Sequence, residues 1–313
     1  MRDEMQHTIG NLEKLLRALK KREPIRAADT NALRVVDGRG DGFEDLEIDD
    51  FAGHWLAQTR GEIFPQWLAK ADLERFGAKS LFWKKLAQSK EPPAFIAGEK
   101  IVEPFVAREN GASFWIDFQA GYSQGLFLDQ RENRRAVRER SAGKTVLNCF
   151  AYTCAFGVCA ALGGAAQSVN VDLSKHYLEW GKRNYLLNNV SFADSAHDFI
   201  FGDVLEWLER FAKKRRVFDL VILDPPTFSR NKRGEIFQIE TGFPKLIRAA
   251  EKLLSKNGAI FCSTNQRGLS QADFRKLLAR GFDNPSVKRR ISLAPMPPDF
   301  CGEQYLKAAW IES

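Results

Sequence analysis

Three aspartates stand where chemistry can be done. Asp172 ends the run "SVNVD", Asp203 ends "HDFIFGD" and Asp224 ends "FDLVILD", each after residues that favour a strand. The third is followed by Pro225, Pro226, Thr227 and Phe228, then by Arg230, Lys232 and Arg233. Prolines beyond a strand lack N–H donors and stiffen the backbone. Such a loop can present the Asp224 carboxylate, its own carbonyls and Phe228 at a fixed place. An aromatic beside three cations suits a nucleic-acid base and its flanking phosphates. The competing reading is a plain turn with a packed Phe and a solvated basic loop. A carboxylate at a strand end can accept both hydroxyls of a ribose or an exocyclic amine. It can also do no more than cap the next helix.

These residues need a scaffold that brings strand ends together. After Gly121, strand-like and helix-like stretches alternate: a charged helix over 129–140, "TVLNCF", a helix over about 154–163, "SVNVDLS", and a helix over 175–188. They continue with "HDFIFGD", a helix over 204–213, "FDLVILDPP", a helix over 243–255, and "GAIFCST". That order predicts an α/β domain with a doubly wound, mostly parallel sheet. "SVKRRISLAP" and "QYLKAAWIES" are expected to pair as an antiparallel hairpin at the sheet edge. The first 120 residues read as a smaller α+β domain. It has a helix over 3–22, short strands between Asp-Gly and Ala-Gly turns, and a helix over 62–76. A hairpin is expected at Asn110-Gly111. The predicted boundary lies between residues 120 and 121.

In an open parallel sheet, ligands bind beyond the carboxyl ends of the strands. The first strand there ends "VLNCFAYTCAFG", with no GxGxxG, and no GxxxxGK occurs in the chain. Phosphate is therefore not the obvious ligand. Three acids at successive strand ends suit an adenosine held by carboxylates, and a cationic one best. S-adenosylmethionine is such a ligand.

These stretches carry a resemblance. "GLFLDQRENRR", "VLNCFAYTCAFG", "VDLSKHYLEWGKRNYLLNN", "DPPTFSRNKR" and "STNQRGL" resemble the class I S-adenosylmethionine-dependent methyltransferases, with their Rossmann-like seven-stranded sheet. More narrowly they resemble the bacterial large-subunit rRNA methyltransferases, above all the guanine-N7 half of the fused K/L enzyme. The likeness begins near residue 104, in "FVARENGASFWIDF". The family's first-strand loop usually reads Tyr-Thr-Gly, where this chain has Tyr152-Thr153-Cys154. The resemblance implies that Asn148, Phe150, Ala151, Tyr152 and Thr153 lie beside the methionine part of the cofactor. It also implies that Asp172, with Leu173 and Ser174, holds the ribose. Asp203, with Val204, takes the adenine amino group, Gln130 and Phe127 close over the cofactor, and Asp224 borders it. Asp224, Pro225, Pro226, Phe228 and Asn265 become the target-facing set. In related cytosine-C5 enzymes a cysteine adds to the ring. The position that aligns with it here is Asn265, while Cys262 falls inside the preceding strand. Guanine N7 has a free lone pair and needs no covalent nucleophile. Asn265 and Arg267 can hydrogen-bond a guanine edge. The expected function is methyl transfer to RNA at guanine N7 of large-subunit rRNA, with 23S rRNA or a large-subunit precursor as the partner. The alternatives are cytosine C5 through Cys262, or a non-catalytic RNA-binding assembly factor.

Composition narrows the setting. The chain has 313 residues, and 47 basic against 40 acidic side chains give a net charge of +7, which suits a polyanion without requiring one. Candidate RNA surfaces are Arg131 to Arg140, "KKRR" at 213–216 and "KRR" at 288–290. The N-terminal domain is a further candidate, although its "DGFEDLEIDDF" is acidic. Five cysteines without a CxxC pair, and only four histidines, point to reduced thiols in a cytoplasm and to no metal. The start "MRDEMQHTIGNLEKLL" reads as an amphipathic helix rather than a signal peptide. Val146–Val171 is uncharged but too polar for a membrane span.

Overall fold

The computed structural model describes residues 2–88, 91–121, 123–192, 196–227, 229–230, 236–282 and 289–312. The chain forms two compact units. One comprises Met1–Arg131 with Pro297–Gln304, the other Glu132–Met296 with Tyr305–Ser313.

In the first unit, α1 (Arg2–Arg26) precedes β1 (Ala32–Asp37), β2 (Glu47–Phe51), β3 (His54–Thr59), α2 (Gln66–Ala69), β4 (Ser80–Lys85) and β5 (Ala94–Gly98). The five strands form a sheet in the order β1-β2-β3-β4-β5. Its core gathers Leu15, Val35, Ile48, Trp55, Leu68 and Leu81. β6 (Phe105–Glu109) and β7 (Ala112–Ile116) form the hairpin expected at Asn110-Gly111. Both turn residues have positive φ, +49° and +75°, as a two-residue type I′ turn requires. The helix predicted over 62–76 is two short turns instead, α2 and a 3-10 turn at Glu74–Phe76. Pro65 caps the first and Gly77, at φ +75°, ends the second. Phe64, Leu68 and Phe76 reach the core from these separate turns, so a spacing that reads as one helix is met by two.

The acidic stretch of this unit turns inward. Asp41 receives a two-pronged pair from Arg22 at 2.8 and 2.6 Å, and Asp50 pairs with Arg26 at 2.5 Å. Arg34 meets Asp37, Glu47 and Asp49 at once, at 2.8, 2.8 and 2.5 Å. Three carboxylates share one guanidinium, and burial pushes Asp49 up to about 6 despite Arg34. A carboxyl raised in the folded state stabilises it fully below its ordinary value of 3.8, and that contribution is lost as pH rises through about 6. The opening free energy of the β1–β3 amides in hydrogen exchange should therefore fall between pH 5 and pH 7.5. In Asp49→Asn the fall should be smaller by on the order of 1 kcal/mol. Identical falls in the two proteins would show that Asp49 does not titrate as described.

Residues 297–304 leave the second unit's last hairpin and pack within the first unit. The buried Asp299 carboxylate takes both Arg131 nitrogens, at 2.8 and 2.5 Å, and the Arg34 N–H at 2.9 Å. The compact unit thus runs past the boundary read from the sequence, to Arg131, and takes back a segment some 165 residues further along the chain. Ion pairs between distant segments leave no local signature.

The second unit is the α/β domain. Its elements are α3 (Arg131–Glu139), β8 (Thr145–Cys149), α4 (Ala155–Leu162), β9 (Gln167–Asp172), α5 (Lys175–Leu187), β10 (His197–Phe201), α6 (Val204–Lys213) and β11 (Phe218–Leu223). There follow a short pair, β12 (Ser229–Arg230) and β13 (Ile236–Phe237), then α7 (Ile239–Glu251), β14 (Leu254–Thr264), α8 (Gln271–Ala279), β15 (Arg290–Ala294) and β16 (Lys307–Glu312). The seven-stranded sheet has the order β10-β9-β8-β11-β14-β16-β15, parallel as far as β14. β16 is antiparallel to both of its neighbours, so the expected edge hairpin forms. The central strands β11 and β14 carry apolar runs, Leu220–Leu223 and Ala259–Cys262, because both faces are covered. Leu147, Val171, Val221, Leu223 and Ile260 pack against α6, α7 and α8, while Val146, Leu220, Ile222 and Phe261 pack with Val137 and Phe156. α7 starts a turn earlier than expected and carries Pro244 inside it, where the sequence rule places proline at the first turn. α8 lies where the sequence reading assigned no helix.

Candidate functional site

The carboxyl ends of β8, β9, β10 and β11 define one edge. In register, Cys149 lies beside Val171 and beside Leu223, Leu223 beside Cys262, and Asp172 beside Phe201. Phe150, Asp172, Asp224 and Ser263 therefore stand at one level, and Asp203 two residues past Phe201. Asp172 and Asp224 are two strands apart, about 10 Å at the usual spacing. The chain leaves β8 toward β9 and β10, then returns to its other side as β11. That reversal makes the β8–β11 crevice the switch point at which such sheets bind ligands.

The loop after β8 borders this crevice. Phe150, Tyr152 and Cys154 all have positive φ, +57°, +49° and +59°. Left-handed backbone at three alternate non-glycine residues stores roughly 1–3 kcal/mol each and persists only where the surroundings impose it. They do so here. The Ala151 N–H donates to Val171 O (3.0 Å), the Tyr152 N–H to Asp172 Oδ2 (2.8 Å) and the Cys154 N–H to Ala151 O (2.7 Å). From α5, the buried Asn184 amide donates to Thr153 O at 2.9 Å, and the Tyr177 ring stands edge-on to Tyr152 at 4.4 Å. Asn184 and Tyr177 were not singled out from the sequence; their signal lay in "HYLEWGKRNYLLN", which places both on the helix that follows Asp172.

Asp172 is half-buried. Its second oxygen accepts the Ser174 N–H at 2.8 Å. Burial raises its pKa, and these two backbone donors oppose the rise. An ionised carboxylate has about four acceptor sites, so two remain after Tyr152 and Ser174, the number a vicinal diol needs. Ser174, not Asp172, caps α5, accepting the Tyr177 N–H at 3.3 Å. Leu173 is half-buried beside it. Asp203 does cap its helix, accepting the Glu206 N–H at 3.2 Å, with Val204 buried behind it. Asn148 is placed differently from the loop. Its amide lies inside the sheet's polar layer, donating to Asn170, which in turn donates to the Tyr185 hydroxyl (2.9 and 3.0 Å).

At the other wall, Ser263 Oγ donates to Asp224 Oδ1 at 2.6 Å, fixing the acid against β14. Pro225 is buried and Pro226 exposed. Phe228, Lys232 and Arg233 lie outside the described residues, and of Arg230 only the backbone is described. Asn265 is exposed directly past β14, and the Lys307 ammonium holds the adjoining turn by donating to Gln266 O at 2.8 Å. The Arg267 guanidinium lies over the Tyr305 ring at 4.8 Å. Cys262 is fully buried in the core between β14 and its covering helices, and burial, then Asp224, push its thiol well up. Gln130 and Phe127 belong to the first unit, on and beside a 3-10 turn at Leu128–Gln130. Gln130 is buried and Phe127 is 42% exposed.

The basic run expected on α3 is largely consumed within the fold. Arg131 is buried with Asp299, Arg134 lies over Phe156, and Arg135 pairs with Glu132 at 2.6 Å. No group of three or more potential metal ligands occurs among the described residues, and no described helix is long and apolar enough to cross a membrane.

An acid with two spare acceptor sites, a preformed strained loop and a second acid across the crevice fit a cationic adenosine derivative such as S-adenosylmethionine, which supplies an electrophilic methyl group. The comparisons agree. The family model described as S-adenosylmethionine-dependent methyltransferase matches residues 78–310. Ribosomal RNA large subunit methyltransferase K of Neisseria meningitidis is 37% identical over 261 residues, 82% of this chain and 71% of that protein. The K/L enzyme of Psychrobacter cryohalolentis is 38% identical over 168 residues, 53% of this chain but only 21% of that one. Among solved structures, SMU.776 complexed with SAH superposes with a TM-score of 0.87 at 28% identity, covering 98% of this chain and 82% of that one. This chain belongs to the S-adenosylmethionine-dependent methyltransferase family, and it is an enzyme whose cofactor is S-adenosylmethionine.

Proposed function

We propose that this methyltransferase acts on RNA of the large ribosomal subunit, at guanine N7. In this reading Asp172 receives the ribose hydroxyls, Asp203 the adenine amino group, and the loop Phe150–Thr153 the methionine part. Asp224, Pro225 and Pro226 then form a rigid wall against which a base is placed in line with the methyl group, because displacement depends on that alignment. A base reaches such a crevice from a single strand or by flipping, at a few kcal/mol.

The observation that carries the choice of atom is at the end of β14. The exposed residue past its end is Asn265, a hydrogen-bonding amide, while the thiols near the crevice, Cys149, Cys154 and Cys262, are all buried, and burial suppresses their ionisation. A covalent route to cytosine C5 needs an accessible thiolate. N7 needs neither a nucleophile nor a base, only an orienting edge. The likeness to methyltransferase K supports the same class of substrate.

Nucleoside mass spectrometry of rRNA tests this directly. Deleting the gene should remove a 7-methylguanosine from large-subunit rRNA, and Cys262→Ala supplied on a plasmid should restore it. Loss of 5-methylcytidine instead, with no restoration by Cys262→Ala, would favour the cytosine enzyme.

A further inference from the structure

The parallel strands have a second edge, at their amino ends, and there four separate stretches of chain bring cations together. The α6–β11 turn exposes Lys213, Lys214 and Arg215. The α7–β14 turn exposes Lys252, and β14 exposes Lys256 near its start. Phe218 is in register with Leu254, and its N–H donates to Leu253 O at 2.7 Å, which sets these two turns side by side. Across β8, the Thr145 N–H and the Ser255 hydroxyl both donate to Asp219, at 3.0 and 2.6 Å, so Lys144 joins the same edge. Arg290 opens β15 opposite Glu312. A notch of about 140 Å³, bordered by Arg140, Lys144, Asn257 and Trp310, lies between.

Three acids along this edge are engaged, while Asp198 on β10 and Glu209 on α6 are exposed and make no ion pair among the described residues. Glu312 pairs with Arg140 at 2.9 Å, Glu251 with Arg289 at 3.1 Å, and Asp219 is held by Thr145 and Ser255. Among the described residues, no ion pair engages Lys213, Lys214, Arg215, Lys252, Lys256 or Arg290. Neighbouring strands are about 4.8 Å apart, well inside the screening length of about 8 Å, so these charges reinforce one another. A single basic run is usually a solvated face. Convergence of separate loops on one edge, with these six unpaired cations outnumbering the unpaired Asp198 and Glu209, produces a field that favours a polyanion.

We infer that this edge is a second contact for the phosphate backbone of the substrate RNA, on the opposite side of the domain from the methyl-transfer crevice. The inference rests on the RNA reading proposed above. β11 separates the two edges by about 20 Å, six residues at the usual rise. An RNA touching both is therefore extended or folded around the domain, which a large rRNA is and a mononucleotide is not. The cations would hold register without reading sequence. Val217, 57% exposed, is the one large exposed hydrophobic in the α6–β11 turn, too little apolar surface to seat in a bilayer.

The test uses the full chain with Lys213, Lys214, Arg215, Lys252 and Lys256 all changed to alanine, beside a second variant in which the four lysines become arginine. Binding to an RNA duplex of arbitrary sequence is measured against salt, and methyl transfer against an unmodified 23S rRNA transcript. The alanine variant should lower the log–log salt slope by about 3–4 and raise KM for the transcript at least about tenfold. Its kcat and its affinity for S-adenosylhomocysteine should not change, and the arginine variant should behave as wild type. An unchanged slope and KM in the alanine variant would overturn the inference, as would tighter binding to phosphatidylglycerol vesicles than to the duplex. If the wild type does not methylate the transcript, the RNA-target reading fails, while the duplex slope still decides whether this edge binds phosphate.

Discussion

Asp172→Ala is expected to weaken S-adenosylhomocysteine binding by a factor on the order of 10²–10³, read by isothermal titration calorimetry. Two charge-assisted hydrogen bonds to a diol contribute roughly 1.5–3 kcal/mol each, and 1.36 kcal/mol is a factor of ten. The substitution also removes the acceptor for the Tyr152 and Ser174 N–H groups, at 2.8 Å each. Releasing Tyr152 frees a left-handed residue from the contact that imposes its conformation. The isosteric Asp172→Asn should be nearly as harmful. Each side-chain oxygen now faces a backbone N–H, so the new amide NH₂ must oppose one donor or the other. A residue that served only to organise the turn would behave otherwise: Asp172→Ala would lower the melting temperature and leave the affinity of the folded protein where it was. That outcome would remove the carboxylate cradle from the account of cofactor binding.

The parts of the domain legible in the sequence were those set by local pattern. Apolar runs closed by an acid gave β9 and β11, and the stretch between them that reads as a helix over 175–188 gave α5. The three acids fall on one edge because parallel register follows from the βα alternation. What escaped depends on shape across distant positions. Asn148 stands in the motif beside the loop, yet its side-chain direction follows the strand's alternation and carries it into a polar layer with Asn170 and Tyr185. Asp203 shows the opposite limit: the sequence allowed both an amine acceptor and a helix cap, and the cap forms without consuming all its acceptor sites. The return of residues 297–304 to the first unit rests on Asp299, whose partners are Arg131, Arg34 and Arg22. No pattern in "MPPDFCGEQ" announces them.

The departure of the loop from the usual Tyr-Thr-Gly leads to the other large expected effect, at Gly181. Alanine in place of glycine inside an exposed helix ordinarily stabilises by about 0.5–1 kcal/mol. At position 181 of α5 the sign should reverse. A Cβ there would lie 2.3 Å from Cys154 Sγ and 2.9 Å from Cys154 Cβ. The thiol cannot swing aside, because Cys154 is fully buried at φ +59° on a loop already held at Ala151, Tyr152 and Thr153. Gly181→Ala should therefore destabilise the second unit by about 2–3 kcal/mol, as overpacking does, and displace the loop enough to weaken S-adenosylhomocysteine binding. Cys154→Gly alone should be close to neutral: glycine relieves the left-handed strain, while the lost thiol gives up packing of similar size. In the double variant the new methyl group occupies the space the thiol vacated, and the helix regains its ordinary preference for alanine. The cycle should show a coupling above about 2 kcal/mol, measured by urea unfolding, with cofactor affinity restored in parallel. Additive effects would mean that Cys154 and Gly181 are not matched in shape, and that the loop is held by its hydrogen bonds alone.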